Sequence, residues 1–184
     1  MHSSLADIIH GWHDFYVLVG TASATLVGLM FVAASVGAQV FTERNREAMR
    51  AFISPTVVHF SSVLFICIVA AVPSQTWRSL AVLSAVVGVA GAIHAARVWV
   101  QLFVRHSFAV DVIDRLFYAL LPVAGYLLVI GSAVLLLVRS QWSLEALAGA
   151  LITLLLAGLR NAWDMTMWII IRVPVTQFEK GSAP

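Results

Sequence analysis

The chain has 184 residues, of which 61% are hydrophobic and only 11% are charged. Soluble domains are about 45–50% apolar and about 25% charged, so this composition indicates a protein whose solvent is lipid. The net charge of +2 comes from scattered basic residues, which excludes the basic face expected of a nucleic-acid-binding protein.

Five apolar segments are long enough to cross about 30 Å of hydrocarbon, which takes roughly 20 helical residues. We therefore predict an all-α fold in which residues 1–184 form a single membrane domain, a bundle of five transmembrane helices. The connections are short, so consecutive helices should be antiparallel neighbours. The predicted spans are 15–41, 51–72, 79–104, 113–138 and 145–172.

The residues before the first span suggest two further features. Residues 3–13 are predicted to form a short interfacial helix, with an apolar face that ends at Trp12. His10, His13 and Asp14 follow one another closely, and imidazole with carboxylate suits a transition metal. Such residues are also ordinary at a membrane surface, so a metal site here is the minor interpretation.

Basic residues predict the orientation of the bundle, because cytoplasmic loops carry an excess of Lys and Arg. The side that holds the N-terminus has only Arg78 and Arg139. We therefore expect the N-terminus outside and the C-terminus in the cytoplasm of a bacterial inner membrane. The aromatic belt of the outer boundary would consist of Trp12, Tyr16, Trp77 and Trp142. The opposite side carries Arg44, Arg46, Arg50, Arg105, Arg115, Arg172 and Lys180.

Two ridges of small residues are predicted to mediate helix packing, since helices in lipid associate where small side chains permit close contact. We favour contacts within one subunit over contacts between copies, although both are open. Residues spaced four apart form these ridges, namely Gly20, Ala24 and Gly28 in the first span and Ser84, Gly88 and Ala92 in the third.

Two prolines fall within the predicted spans. Pro55 is expected in the first turn of the second span, where proline is tolerated. Pro122 lies inside the fourth span, where it should kink the helix because it removes a backbone hydrogen bond.

Polar and charged side chains interrupt three of the spans at a similar depth. A charge in hydrocarbon costs about 2.5–3.5 kcal/mol, so such groups usually face the bundle interior and pair. We expect Asp164 to pair with Arg160 or with Arg97. The predicted polar site, in the cytoplasmic half of the bilayer, comprises Arg160, Asp164, Asn161, His59, His94 and Arg97.

This polar site suggests a small channel or transporter that acts as an oligomer. Two arginines against one aspartate would favour an anion. The ion pair has an equally weighted alternative role, a structural clamp. In that case the protein would be a non-catalytic accessory or assembly subunit that binds a partner membrane subunit.

A third interpretation is a haem-bearing electron carrier. His59 and His94 lie on consecutive helices at similar depth and could supply two axial ligands to a haem b. Gly88 and Gly91 would leave room for the porphyrin. The sequence contains no GxSxG, Walker, CxxC or HExxH motif, so an enzyme is the less favoured class.

The stretches VGTASATLVGLMFVAASV and GLRNAWDMTMW resemble an uncharacterised family of small multi-spanning bacterial membrane proteins. The resemblance extends over most of the chain. It implies a membrane location and no particular activity.

Overall fold

A computed structural model describes residues 5–38, 43–104 and 120–172, and every regular element in these ranges is an α-helix. The all-α prediction is therefore confirmed. Five helices follow one another as α1 (Leu5–Ala38), α2 (Glu43–Ala71), α3 (Trp77–Val104), α4 (Leu121–Leu137) and α5 (Ser143–Arg172).

Three of these helices are long and apolar enough to cross a membrane. Their apolar stretches are Gly11–Ser35 in α1, Trp77–Val100 in α3 and Ser143–Asp164 in α5. The apolar parts of the other two helices, Pro55–Ala71 and Leu121–Leu137, are shorter. These lengths and compositions support insertion into a membrane.

Four helices form a ring, and the fifth lies outside it. In the ring, α2 contacts α3 and α5, and α4 contacts the same two helices from the opposite side. Helix α1 packs mainly on α2, where the Ser23 hydroxyl donates a hydrogen bond of 2.7 Å to the Phe60 carbonyl. We call the end formed by residues 72–76 and 138–142 the loop end, and the opposite end the far end.

Close approach inside the ring depends on glycines that face large side chains. A methyl group at any of them would collide with a neighbouring helix, so these contacts fix how near the helices lie. The pairs are Gly88 with Ile130, Gly91 with Tyr126, Gly125 with Leu154, and Gly158 with Phe60.

The two predicted ridges have different surroundings. Ser84 and Gly88 are buried in the ring, and Ala92 packs against the same core. This ridge therefore serves contacts within one subunit. In the first ridge, Gly20 packs against Cys67 of α2. The other two members, Ala24 and Gly28, are exposed.

Helix boundaries differ from the predicted spans at three places. Helix α1 runs without a break from Leu5 to Ala38, so the described part of the predicted interfacial helix, residues 5–13, continues directly into the first span. Pro55 lies well inside α2, because that helix begins at Glu43. Pro122 is the second residue of α4, and since the predicted span from 113 to 119 lies outside the described residues, the predicted kink stays a prediction.

Candidate functional site

A buried contact between polar side chains joins α2 to α4. The His59 Nδ1 atom lies 3.0 Å from the Tyr126 hydroxyl, and the Ser62 hydroxyl lies 3.2 Å from the same oxygen. Ser62 also donates a 2.7 Å hydrogen bond to the Val58 carbonyl of its own helix. His59 and Tyr126 are 1% and 0% exposed. We call His59, Ser62 and Tyr126 the polar centre.

Local geometry explains why these three groups meet. His59 and Ser62 are three residues apart on α2 and therefore share one face. Tyr126 reaches them from α4, on the other side of the ring. Its ring lies against Gly91 of α3, where any larger residue would overlap it. Three helices thus position one phenol hydroxyl between an imidazole and an alcohol.

The hydroxyl of Tyr126 has one hydrogen and two neighbours that can accept it. It either donates to His59 Nδ1 or donates to Ser62. In the second arrangement, Nδ1 carries the hydrogen and donates to the phenol oxygen. The polar centre can therefore exist in two hydrogen-bonded forms that differ in the tautomer of His59.

Other polar groups lie buried in the ring beside this centre. His94 of α3 interacts electrostatically with His59 and with Arg97. The His94 Nε2 and Asn161 Oδ1 atoms are buried, and neither has a hydrogen-bond partner among the residues that the structure describes. Thr56, one turn before His59, is 1% exposed. The interior thus contains more polar groups than packing alone requires.

The predicted ion pair is present. The Arg160 Nε atom lies 2.9 Å from the Asp164 Oδ2 atom, one turn apart on α5. The pair is on the outer surface of the chain, with side chains 42% and 23% exposed. Arg97 is exposed as well. Of the six predicted polar residues, therefore, His59 and Asn161 are buried, His94 is partly buried, and the three charged ones lie outside the ring.

The position of these charges follows from the length of the helices. Helix α5 has 30 residues, or ~45 Å at 1.5 Å per residue, which exceeds a bilayer core of about 30 Å. From Trp142 at the loop end, Arg160 is ~27 Å along the axis and Asp164 is ~33 Å. In a helix of this length, both charges lie in the half of α5 nearer the far end. The arginines do not line the interior of the ring in a single chain, and the expectation of an anion stays a prediction.

The structure does not offer the space that a haem between His59 and His94 requires. The room expected beside Gly88 and Gly91 is occupied by Ile130 and by the ring of Tyr126. The side chains of Ile130 and Tyr126 would have to move out of this space before a porphyrin could bind. The residues therefore do not fit a bis-histidine haem.

The predicted metal ligands lie on α1. His13 and Asp14 are exposed, whereas the side chain of His10 lies outside the described residues. Within the described part of the chain, no three His, Cys, Asp or Glu side chains come together. The metal site stays a prediction.

Two residues of the site were not predicted from the sequence. A role for Tyr126 in the polar centre was not predicted, because aromatic residues in membrane helices usually belong to the core or to the boundary belts. Its depth was the available signal, since it lies eleven residues, ~17 Å, from the end of α4 and so far from the belt. Gly91 was interpreted as room for a cofactor, whereas it holds the Tyr126 ring.

Comparison with protein-family models, with curated proteins and with solved structures finds no match to this chain. The resemblance noted above therefore stays a prediction, and the functional argument depends on the geometry alone.

Proposed function

We propose that this chain is a multi-pass membrane protein that passes a small ion through its helical ring at the polar centre. All five helices cross the bilayer in this proposal, with the N-terminus outside and the C-terminus in the cytoplasm of a bacterial inner membrane. The observation that carries it is the contact of His59 and Ser62 with Tyr126 inside the ring, where His59 and Tyr126 are buried and Ser62 is partly buried.

Energetics support a functional role for these groups. Polar and ionisable residues inside a membrane are expensive and usually mark ion pathways or proton relays. A hydrogen bond between membrane helices contributes only about 0.6 kcal/mol on average. This is small beside the free energy that it costs to bury a histidine in hydrocarbon. A purely structural bundle would gain as much from apolar side chains at these positions.

Tryptophan spacing supports the membrane orientation of the ring. On α3, Trp77 and Trp99 are 22 residues or ~33 Å apart. Trp142, just before α5, and Trp163 within it are 21 residues or ~32 Å apart. Both separations match a hydrocarbon core of about 30 Å. Trp142 and Trp163 are 64% and 62% exposed, as residues of an aromatic belt should be.

Flux through reconstituted vesicles tests the proposal. Purified full-length protein in liposomes should raise the permeability to at least one of H⁺, Na⁺, K⁺ and Cl⁻ above that of protein-free liposomes. The double variant His59→Ala, Ser62→Ala should lose the increase. If wild-type and double-variant vesicles are equally permeable to all four ions, the proposal is wrong.

A second candidate function is an accessory subunit that assembles through α1. This helix lies outside the ring, and Ala24 and Gly28 on its surface are exposed small residues, which permit close helix contact. The occupant would be a helix of a partner membrane subunit. Cross-linking of a Gly28→Cys variant in native membranes with a thiol-to-amine reagent tests this role. A cross-linked band that contains a second protein supports it, and a monomer alone or a homodimer, compared with a Gly131→Cys control, contradicts it.

A further inference from the structure

We propose that the ion passed by the polar centre is the proton, transferred along the hydrogen bonds of Ser62, Tyr126 and His59. This inference rests on the proposed function and identifies its substrate. It follows from two features considered together: the chain of hydrogen bonds, and the tight packing around it.

The packing leaves little room for any ion that occupies volume. The ring of Tyr126 fills the space that a side chain at position 91 would take. Phe60, next to His59, likewise fills the space that a side chain at Gly158 of α5 would take. A hydrated or partly dehydrated Na⁺, K⁺ or Cl⁻ would have to separate these helices. A proton moves by exchange of hydrogen bonds and needs no such separation.

The transfer is balanced at every atom. For transfer, the Ser62 hydroxyl turns from the Val58 carbonyl toward Tyr126, and a proton from water that binds the Ser62 oxygen moves the Ser62 hydrogen to the Tyr126 oxygen. The hydrogen of Tyr126 passes to His59 Nδ1, and the hydrogen on His59 Nε2 passes to an internal water molecule. Each oxygen again carries one hydrogen, and the imidazole is again neutral but in its other tautomer. The chain resets when the imidazole turns about its Cβ–Cγ bond, Nδ1 gives its hydrogen to water and Nε2 takes one from water, which restores the first tautomer with no net change of protons. Transfer in the opposite direction uses the same bonds.

Further buried polar groups lie in the ring toward both of its ends, and we infer that water connects them to this chain. Toward the loop end, the buried Ser84 Oγ has no partner among the described residues and lies ~11 Å along α3 from Trp77. Toward the far end, the His94 Nε2 and Asn161 Oδ1 atoms are also buried and also have no hydrogen-bond partner among the described residues. Buried polar atoms of this kind typically bind internal water, which transfers protons as hydroxyl groups do.

The titratable groups that contact or interact with His59 in the described residues are Tyr126 on α4 and His94 on α3. From α5, Arg160 and Asp164 lie on the outer surface. No charged side chain is therefore placed in the chain itself, so the relay works between neutral groups and leaves no fixed charge in the hydrocarbon.

The experiment measures proton flux into liposomes that contain purified full-length protein and internal pyranine. A K⁺ gradient with valinomycin drives the protons. We expect flux well above that of protein-free liposomes, slower in D₂O. It should fall at least about tenfold in Tyr126→Phe, the low side of what a positioned proton-transfer group contributes. The matched control is Tyr16→Phe, since Tyr16 is equally buried and its hydroxyl has no partner among the described residues.

Four outcomes separate this inference from the proposed function. Loss of flux in Tyr126→Phe and in Ser62→Ala, with flux retained in Tyr16→Phe, supports the relay. Proton flux that is equal in all variants overturns it. Flux of K⁺ or Cl⁻ without protons overturns the relay but leaves the proposed function intact. No flux of any ion overturns both. Size-exclusion profiles and helix content of each variant show that it is folded.

Discussion

Replacement of Gly91 by alanine tests whether Tyr126 is held as the structure describes. The added methyl group would overlap the Tyr126 ring. Overfilling a packed core costs about 1–3 kcal/mol. If the ring moves instead, it gives up its hydrogen bonds to His59 and Ser62, each about 0.6 kcal/mol between membrane helices. Either route gives a cost within the same range, so we expect Gly91→Ala to destabilise the protein by about 1–3 kcal/mol.

Thermal unfolding in mild detergent is the assay. For soluble domains of this size, 1 kcal/mol corresponds to about 2–4 °C in Tm, so a fall of several degrees is expected. Unfolding of membrane proteins is often irreversible, so all variants are compared at one scan rate. The control is Gly131→Ala on α4, where an added methyl group meets open space. That change should be neutral or should stabilise by about 0.5–1 kcal/mol, as expected for a helix interior.

A double-mutant cycle identifies the cause of the loss. In a Tyr126→Ala background the ring is absent, so Gly91→Ala should cost little or nothing. The reasoning would be refuted if Gly91→Ala unfolded at or above the wild-type temperature. It would be equally refuted if the cost persisted without the Tyr126 ring, because the collision would then lie elsewhere.

Three further predictions follow from the placement of the surface groups. Asp164→Asn should change stability by no more than about 0.5 kcal/mol, because its ion pair with Arg160 is exposed and i, i+4 pairs at surfaces are weak; a loss of several kcal/mol would contradict the surface position. In single-tryptophan variants that retain Trp142 or Trp163, lipids labelled near the headgroup should quench fluorescence more than lipids labelled at the chain end; the reverse order would remove both from the belts. A fluorescent protein fused to the C-terminus should be active and a periplasm-dependent phosphatase inactive, and the opposite pattern would reverse the orientation.

The lengths of the apolar segments were sufficient to predict the all-α fold and the approximate positions of its helices. The first residues of α3 and α5, Trp77 and Ser143, lie within two residues of the predicted starts of their spans, because sharp polar breaks precede both. Helix α2 begins earlier than predicted, at Glu43, since its charged first turns extend beyond the apolar stretch. A hydropathy pattern indicates where the apolar span lies, but it does not indicate how far the helix continues beyond that span.

The same limit affected the candidate site. The predicted depth of Arg160 and Asp164 in the bilayer stays a prediction, because α5, with 30 residues, is longer than the ~20 residues that cross a bilayer. Their mutual pairing was predictable from i, i+4 spacing, but the face that they occupy was not. The partner of His59 could not be found from the sequence, because Tyr126 meets it across 67 positions of the chain. Only the packing of α3 against α4 at Gly91 brings the phenol to the imidazole.

The most direct test of the central claim is the ion flux of Tyr126→Phe beside that of Arg160→Gln in the same liposomes. Our account assigns ion passage to hydrogen-bonding groups inside the ring and leaves the outer ion pair without a part in it. It therefore predicts that Tyr126→Phe loses the flux and that Arg160→Gln keeps it. Loss in Arg160→Gln with full flux in Tyr126→Phe would contradict the account and would move the pathway to the outer surface of α5.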